Sequence, residues 1–569
     1  MVIMRTFSRS PFRSLYVPLI AAGALGALVG VNASAKKPKA ARQPAGEQLP
    51  IKAKELFEFV QKLSSEEMAS RTPGSLGEAE TRKYIAQQMS EAKVQPPGGA
   101  PATAAAPAAP AGAGQAAPAA AAAPEPDAFM QPVPFTIVRT RLLPGGAPQF
   151  KSTAATVPVQ MMTPVNDVVL LTGDGKPANI RDMEVVFVGY GVTAPEYQWD
   201  DYKDADVQGK VVVMLDGDPQ ADAKIFAGKA RTHYGRWTYK FTQAASKGAA
   251  VALIVLDPKD SAAAGLSLPL LRSSYGNGVE YVLDRDPKTP EEALKLRGFI
   301  SEEVTRRIMQ SARIEYDDLR KVAEGRDFRP VRPKLRMNAT FTVDAHKGES
   351  ANILGIVPGS DPALAKEAVV YTAHYDGQGP TDSAAGTAAL LAMARSAASR
   401  GPLPRTQIFA ALTAQTEYQL GARQLIEHLP APVTKVFAHI NVDGINPLAP
   451  QPNIIQIGRG KSTVDAILDA AAKEQERKVV ADPTPELGLY YRSESMAFAH
   501  INVPSVFLGW PDLGRYLHDE YRQGKESVGA AWSFLGGAED AELLLIVGRK
   551  LAEAKTAPVF KKTDEFAAK

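Results

Sequence analysis

The chain has 569 residues, 45% of them hydrophobic and 22% charged, with a formal net charge of +3. That length exceeds one ordinary domain, and so nearly neutral a chain presents no basic field to a nucleic acid. The absence of cysteine excludes disulfides, thiol catalysis and cysteine-ligated metal. Any imidazole ligand must come from His233, His346, His374, His428, His439, His500 or His518.

Arg5, Arg9 and Arg13 precede an apolar run from Leu15 to Val31, and Ala33-Ser34-Ala35 follows. A charged start, an apolar middle and a small-x-small end predict a signal peptide over residues 1–35 and export to the periplasm or the extracellular space. The alternative is an uncleaved N-terminal anchor, for which the run is slightly short. No later stretch is apolar enough for a stable membrane span. Residues 36–50 are a Lys/Pro/Ala linker. Leu56, Phe59, Val60 and Leu63 share one face of a helix, and a second helix is expected from Leu76 to Met89 after the Thr72-Pro73-Gly74 turn. Residues 96–126 are nearly all Ala, Pro and Gly, too poor in bulky apolar surface to offset their ordering entropy. They read as a disordered loop inside a first peptidase segment, 51–165.

From residue 166 to 330 short β runs dominate, among them Val185–Gly189 and Lys210–Asp216. The block from 331 to 558 alternates strands (Ala368–Ala373, Ile408–Thr413, Val436–Val442, Ser505–Gly509) with helices (Ala384–Ala398, Ser462–Glu476, Ala541–Ala554), and 559–569 form a tail. Apolar strands alternating with helices predict an α/β fold: a mostly parallel sheet with helices on both faces, beside a β-rich middle domain.

In such sheets sites form at the carboxyl ends of strands. There the sequence gathers His374-Tyr375-Asp376, Asp382-Ser383, Gln415-Thr416-Glu417, Asp443 and His518-Asp519. Imidazole and carboxylates converging from several strand ends are what a hydrolytic zinc site needs. Each has a plainer reading as well: Asp382 as a helix N-cap, Asp443 as the opening of the turn at Gly444, a lone histidine as a satisfied polar side chain.

The stretch NILGIVPGSDP…VVYTAHYDG…DSAAGTAALLAM (352–393) resembles the co-catalytic di-zinc aminopeptidases, peptidase family M28. TAQTEYQLGA (413–422), NVDG (441–444), RSESMAFAHINVPS (492–505) and SRTPGSLGEAETRKYIAQQM (70–89) extend the resemblance. Residues 185–213 and 235–255 look like that family's protease-associated insert, which would occupy 166–330. The resemblance implies a zinc-exopeptidase-like fold and removal of N-terminal residues from peptides. It implies His374, Asp382 and Asp443 as ligands of one zinc, with Asp382 bridging to a second, His518 as the last ligand, and Asp376 as the carboxylate orienting His374. Tyr490, Tyr491 and Arg492 would line the substrate pocket.

The sequence departs from the family at an adjacent glutamate pair. Ungapped alignment puts Gln415 at the general base and Thr416 at a ligand of the second zinc. An amide cannot take a proton from water, and a neutral hydroxyl is a poor zinc ligand. One zinc then keeps three protein ligands, while the second site is reduced to Asp382 and His518. Glu417, one residue along, is the substitute carboxylate that a local register shift would bring in. Ser383 stands where the family has Asn. Two functions follow as expectations: an exported zinc aminopeptidase with a degraded second metal site, or an inactive peptidase fold that binds a peptide or a partner.

Overall fold

The computed structural model describes residues 51–567 except 69, 99–124, 154–159, 164–165, 223, 229, 259–266, 276–277, 285–292, 378, 416–417, 512, 520–527 and 530. Of the side chains within helices and strands, those at 273–274, 381–382 and 517–519 are also outside the description. The signal, the linker and nearly all of the Ala/Pro loop lie outside the described residues. None of the described helices is long and apolar enough to cross a membrane.

The C-terminal block is built on four parallel strands in the order Ser505–Gly509, Lys435–Asn441, Glu367–His374, Thr406–Leu412. They are continuous apolar runs because both faces are covered. Alternation along the His374 strand sends Val369, Tyr371 and Ala373 into one core and Ala368 and Val370 into another. The first core is closed by helices Ala53–Leu63, Leu76–Glu91, Ala385–Arg400, Val464–Glu474 and Leu535–Glu553. The second is closed by Leu420–Glu427 and Ser495–His500. Each expected element is present, with ends moved by a few residues. The Ala385–Arg400 helix is buried along most of its length, so its small residues are a packing requirement. Gly386 is one case: a Cβ there would stand 2.3 Å from the Val442 carbonyl oxygen.

The first two helices are fixed by local chemistry. Ser75 caps Leu76–Glu91 by accepting the Glu78 N–H at 3.1 Å, and the Glu78 carboxylate returns to the Gly74 N–H, also at 3.1 Å. This pairing resembles a capping box, with the carboxylate bound one residue ahead of the N-cap N–H.

One element decides how the chain halves join. Leu335–Val357 is a 23-residue strand that pairs antiparallel with Thr406–Leu412 at its end and with Ala178–Phe187 near its start. Met130–Leu142 runs antiparallel along it from Met130↔Ile353 to Leu142↔Phe341. The middle block therefore continues the same sheet. Its own strands Ala178–Phe187, Val211–Leu215, Val251–Leu256 and Leu296–Ser301 are parallel, and Val168–Leu171 adds an antiparallel edge. Helices Trp237–Ser246 and Glu302–Ser311 pack on its opposite faces. The block is thus more α/β than β-rich, because apolar runs such as Val251–Leu256 are wholly buried and need cover on both sides.

Candidate functional site

The carboxyl ends of the four parallel strands reach one rim, since His374 lies opposite Leu412 and Thr372 opposite Asn441 in register. His374 ends its strand and is buried. Its Nε2 faces Asp443 Oδ1 at 3.1 Å, and its Nδ1 lies 3.0 Å from the Asp376 backbone oxygen and 3.5 Å from Asp376 Oδ1. Asp376 therefore orients the imidazole chiefly through its main chain. Its buried carboxylate is turned to accept the Gln415 N–H, at 3.2 and 3.1 Å. Burial disfavours a charged His374, but the carboxylates of Asp376 and Asp443 outweigh it and hold the imidazole well above its usual pKa.

Gly444 lets the chain turn directly after Asp443. Its φ is +90°, and a Cβ would meet the Trp510 ring at 2.7 Å. On the opposite side Ala414 has φ 51°, Tyr418 60° and Gln419 56°. Three non-glycine residues in the left-handed region mark the Gln415 loop as strained. The Gln415 side-chain amide donates to the Arg492 carbonyl at 2.6 Å. Thr416 and Glu417 lie outside the described residues, as do the side chains of Asp382 and His518. The main chain at Asp382 forms a π-helical turn, Pro380–Ala384, that leads into the long helix, so helical structure begins ahead of the position expected. His518 belongs to the short helix Leu513–Asp519.

Arg71 fixes the strap between His374 and Asp382. It is buried and uses all five donors: Nε to the Tyr375 oxygen (2.8 Å), Nη1 to the oxygens of Leu63 (2.7 Å) and Met68 (3.0 Å), and Nη2 to the Gly379 oxygen and Ser383 Oγ (both 2.8 Å). The Tyr375 hydroxyl donates to Glu78 Oε1 at 2.7 Å. The two opening helices are thus tied to the site by a cation and an anion that sequence inspection had placed in a helical lead-in only.

Tyr490 and Tyr491 are buried with Leu487, Met496, Trp510 and Phe560. The Tyr491 hydroxyl accepts from Lys461 Nζ at 2.8 Å and donates to Glu565 in the C-terminal tail. Behind the Gln415 loop a cavity of about 380 Å³ is lined by Tyr418, Gln419 and Met496 and by His233 and Tyr239 from the middle block.

Glu494 is the residue that sequence reasoning missed. It is 1% exposed, and among the described residues neither carboxylate oxygen has a hydrogen-bond partner. Burial, reinforced by the Asp443 charge and opposed by His374, pushes its pKa up to about 8. The signal available was an acidic residue inside RSESMAFAH, flanked by small and apolar residues of a buried helix, where an unpaired carboxylate has no structural reason to be.

The donor set suits a divalent cation in part. Two donors each about 2.0–2.1 Å from a tetrahedral zinc lie about 3.3 Å apart, close to the His374–Asp443 separation. The second imidazole nitrogen is already oriented, as metal-ligating histidines require. Among the described residues no three His, Asp or Glu side chains are already drawn up around one point.

Residues 352–529 match the family model of peptidase family M28. No curated protein matches the chain. Among solved structures, the chain is similar to an aminopeptidase from Aneurinibacillus sp. strain AM-1, at 15% identity over 90% of this chain and 96% of that one, with a TM-score of 0.49. It is also similar to a zinc aminopeptidase from Bacillus subtilis (17%, 90% and 99%, TM-score 0.44) and to a peptidase M28 precursor from Shewanella amazonensis SB2B (15%, 90% and 97%, TM-score 0.45).

Proposed function

With residues 352–529 in peptidase family M28, we propose that the chain is an exported zinc aminopeptidase that removes N-terminal residues from peptides, with a degraded second metal site. The observation that carries this reading is the meeting of His374 Nε2 and Asp443 Oδ1 at the strand ends, with Asp376 behind the imidazole. His374, Asp443 and Asp382 would hold one zinc. Zinc bound there would supply Lewis acidity toward the scissile carbonyl and acidify water at neutral pH. Asp376 keeps the His374 ring fixed, and the strap from Tyr375 to Ser383, pinned by Arg71, carries the Asp382 backbone to the same rim. Glu417, two residues after Gln415 in the sequence, is the carboxylate proposed to take a proton. Tyr490, Tyr491 and Arg492 are the proposed substrate-side residues, and the middle block a gate for peptide entry.

The test is an assay of the zinc-loaded chain on peptides with free and acetylated N-termini, with His374→Ala as control. Turnover of the free peptides alone, absent in His374→Ala, is the expected result. Turnover that survives His374→Ala would refute the assignment.

A second reading, a non-catalytic peptidase fold that binds a peptide or a partner, is favoured by one observation. The Gln415 amide is committed to the Arg492 carbonyl, so the position aligned with the general base offers no proton acceptor in the form of a carboxylate. Zinc binding with no turnover on any peptide of the panel is the outcome that reading expects.

A further inference from the structure

We infer that Tyr418 is a positioning residue, through which the middle block holds the Gln415 loop in place for the reaction. The inference deepens the peptidase reading and rests on it. The loop is anchored at both ends, to two different parts of the molecule. At its first end the Gln415 N–H is accepted by the Asp376 carboxylate at 3.2 and 3.1 Å, and the Gln415 side-chain amide donates to the Arg492 carbonyl at 2.6 Å. At its second end the half-buried Tyr418 packs against the core of the middle block.

That second anchor is built from rigid parts. The Tyr418 ring stands edge-on to Trp237, with ring centres 5.0 Å apart and planes at 76°. The Arg297 guanidinium lies 5.0 Å from the Tyr418 ring centre and also donates to its hydroxyl, across 121 residues of sequence. Neither partner is free to drift. Arg297 is buried and paired with the buried Glu280, Nε to Oε1 3.1 Å. Trp237 is buried against Phe241, Tyr275 and Phe299, with ring centres 6.0, 6.2 and 6.0 Å away.

The loop needs such an anchor. Ala414, Tyr418 and Gln419 have left-handed backbones, at φ 51°, 60° and 56°. Non-glycine residues keep that conformation where their surroundings over-determine it. Main-chain bonds supply part of the restraint: the Gln419 N–H reaches the Gln415 oxygen at 3.0 Å, and the Leu420 N–H reaches the Ala414 oxygen at 3.1 Å. The Tyr418 side chain supplies the rest from outside the loop. Gln415 and Tyr418 bracket Glu417, the proposed proton acceptor, in the sequence. A reacting group misplaced by about 1 Å can cost about 10²-fold in rate, so the middle block acts on the chemical step as well as on peptide entry.

The test compares the full chain as wild type, Tyr418→Leu and Tyr418→Phe. It reads kcat and KM of the zinc-loaded proteins on peptides with free N-termini, and amide hydrogen exchange of the zinc-free proteins over residues 413–421. Expected for Tyr418→Leu is a fall in kcat of about 10- to 10²-fold with KM within about threefold of wild type. Exchange at Gln415 and Gln419 should quicken by about tenfold or more, with the Thr406–Leu412 strand unchanged. Tyr418→Phe keeps the ring and should recover most of kcat. A purely structural role would lower stability and leave kcat per folded molecule unchanged; that result overturns the inference and leaves the peptidase reading standing. Exchange at Gln415 and Gln419 within about twofold of wild type in Tyr418→Leu overturns it as well. No turnover by the wild type overturns the peptidase reading, and the role of Tyr418 in the reaction with it. Should Tyr418→Leu fail to fold, Trp237→Phe withdraws the larger ring on the middle-block side and takes its place, with the same outcomes on either side.

Discussion

Replacing Arg71 by methionine keeps the length and apolar stem of the side chain and removes its five donors. Four main-chain carbonyls and the Ser383 hydroxyl lose their partner in a buried setting. Hydrogen bonds from a charged group contribute about 1.5–3 kcal/mol each, so a simple sum would exceed 7 kcal/mol, counted at about 1.5 each. The guanidinium's own desolvation offsets much of that, and breaking a buried charged cluster by removing one member costs about 3–5 kcal/mol. We expect a loss of that size for Arg71→Met in urea unfolding followed by tryptophan fluorescence, with Arg71→Lys losing more than half as much because an ammonium cannot fork to five acceptors. Zinc affinity should fall with it, since the strap from Tyr375 to Ser383 is what Arg71 holds. A stability change below about 1 kcal/mol in Arg71→Met would refute the claim that this residue positions the site.

Gln415→Glu restores a carboxylate at the aligned base; with Glu417 taking the proton, kcat on peptide substrates should not rise, and a rise of about 10²- to 10⁴-fold would show that the base is missing in the wild type and refute the role of Glu417. Glu280 and Arg297 form a buried ion pair, Nε to Oε1 3.1 Å, and Arg297 also reaches the Tyr418 hydroxyl. Glu280→Ala should cost about 3–5 kcal/mol in urea unfolding, and the double variant Glu280→Ala, Arg297→Met should recover part of it. His439 is buried, stacks on Phe498 at 3.7 Å between ring centres, and bonds Thr372 at 2.8 Å and Ser505 at 2.6 Å. Burial holds its pKa well below the usual 6.5, so the folded state needs the neutral ring. Its stabilising share is complete above pH 6.5 and is lost as pH falls below that value, at about 1.4 kcal/mol per pH unit. Unfolding free energies of His439→Gln should show a slope smaller by one proton over that range; an unchanged slope would refute the assignment.

The sequence by itself determined the elements and the rim. Runs such as Ala368–Ala373 and Val436–Val442 can only be strands covered on both faces, and the residues that end them, His374 and Asp443, fall at the carboxyl edge by chain direction alone. That information is local, carried by side-chain periodicity and by what a strand end can present. Tertiary structure alone decided three other things. It brought Arg71, some 300 residues distant in sequence, onto the strap behind His374. It ran Leu335–Val357 and Met130–Leu142 together so that the middle block extends the same sheet. It buried Glu494, which no spacing rule picks out. Such contacts depend on which helix packs beside which strand, and the free energy that selects them is shared over the whole core, so no short stretch of sequence carries it.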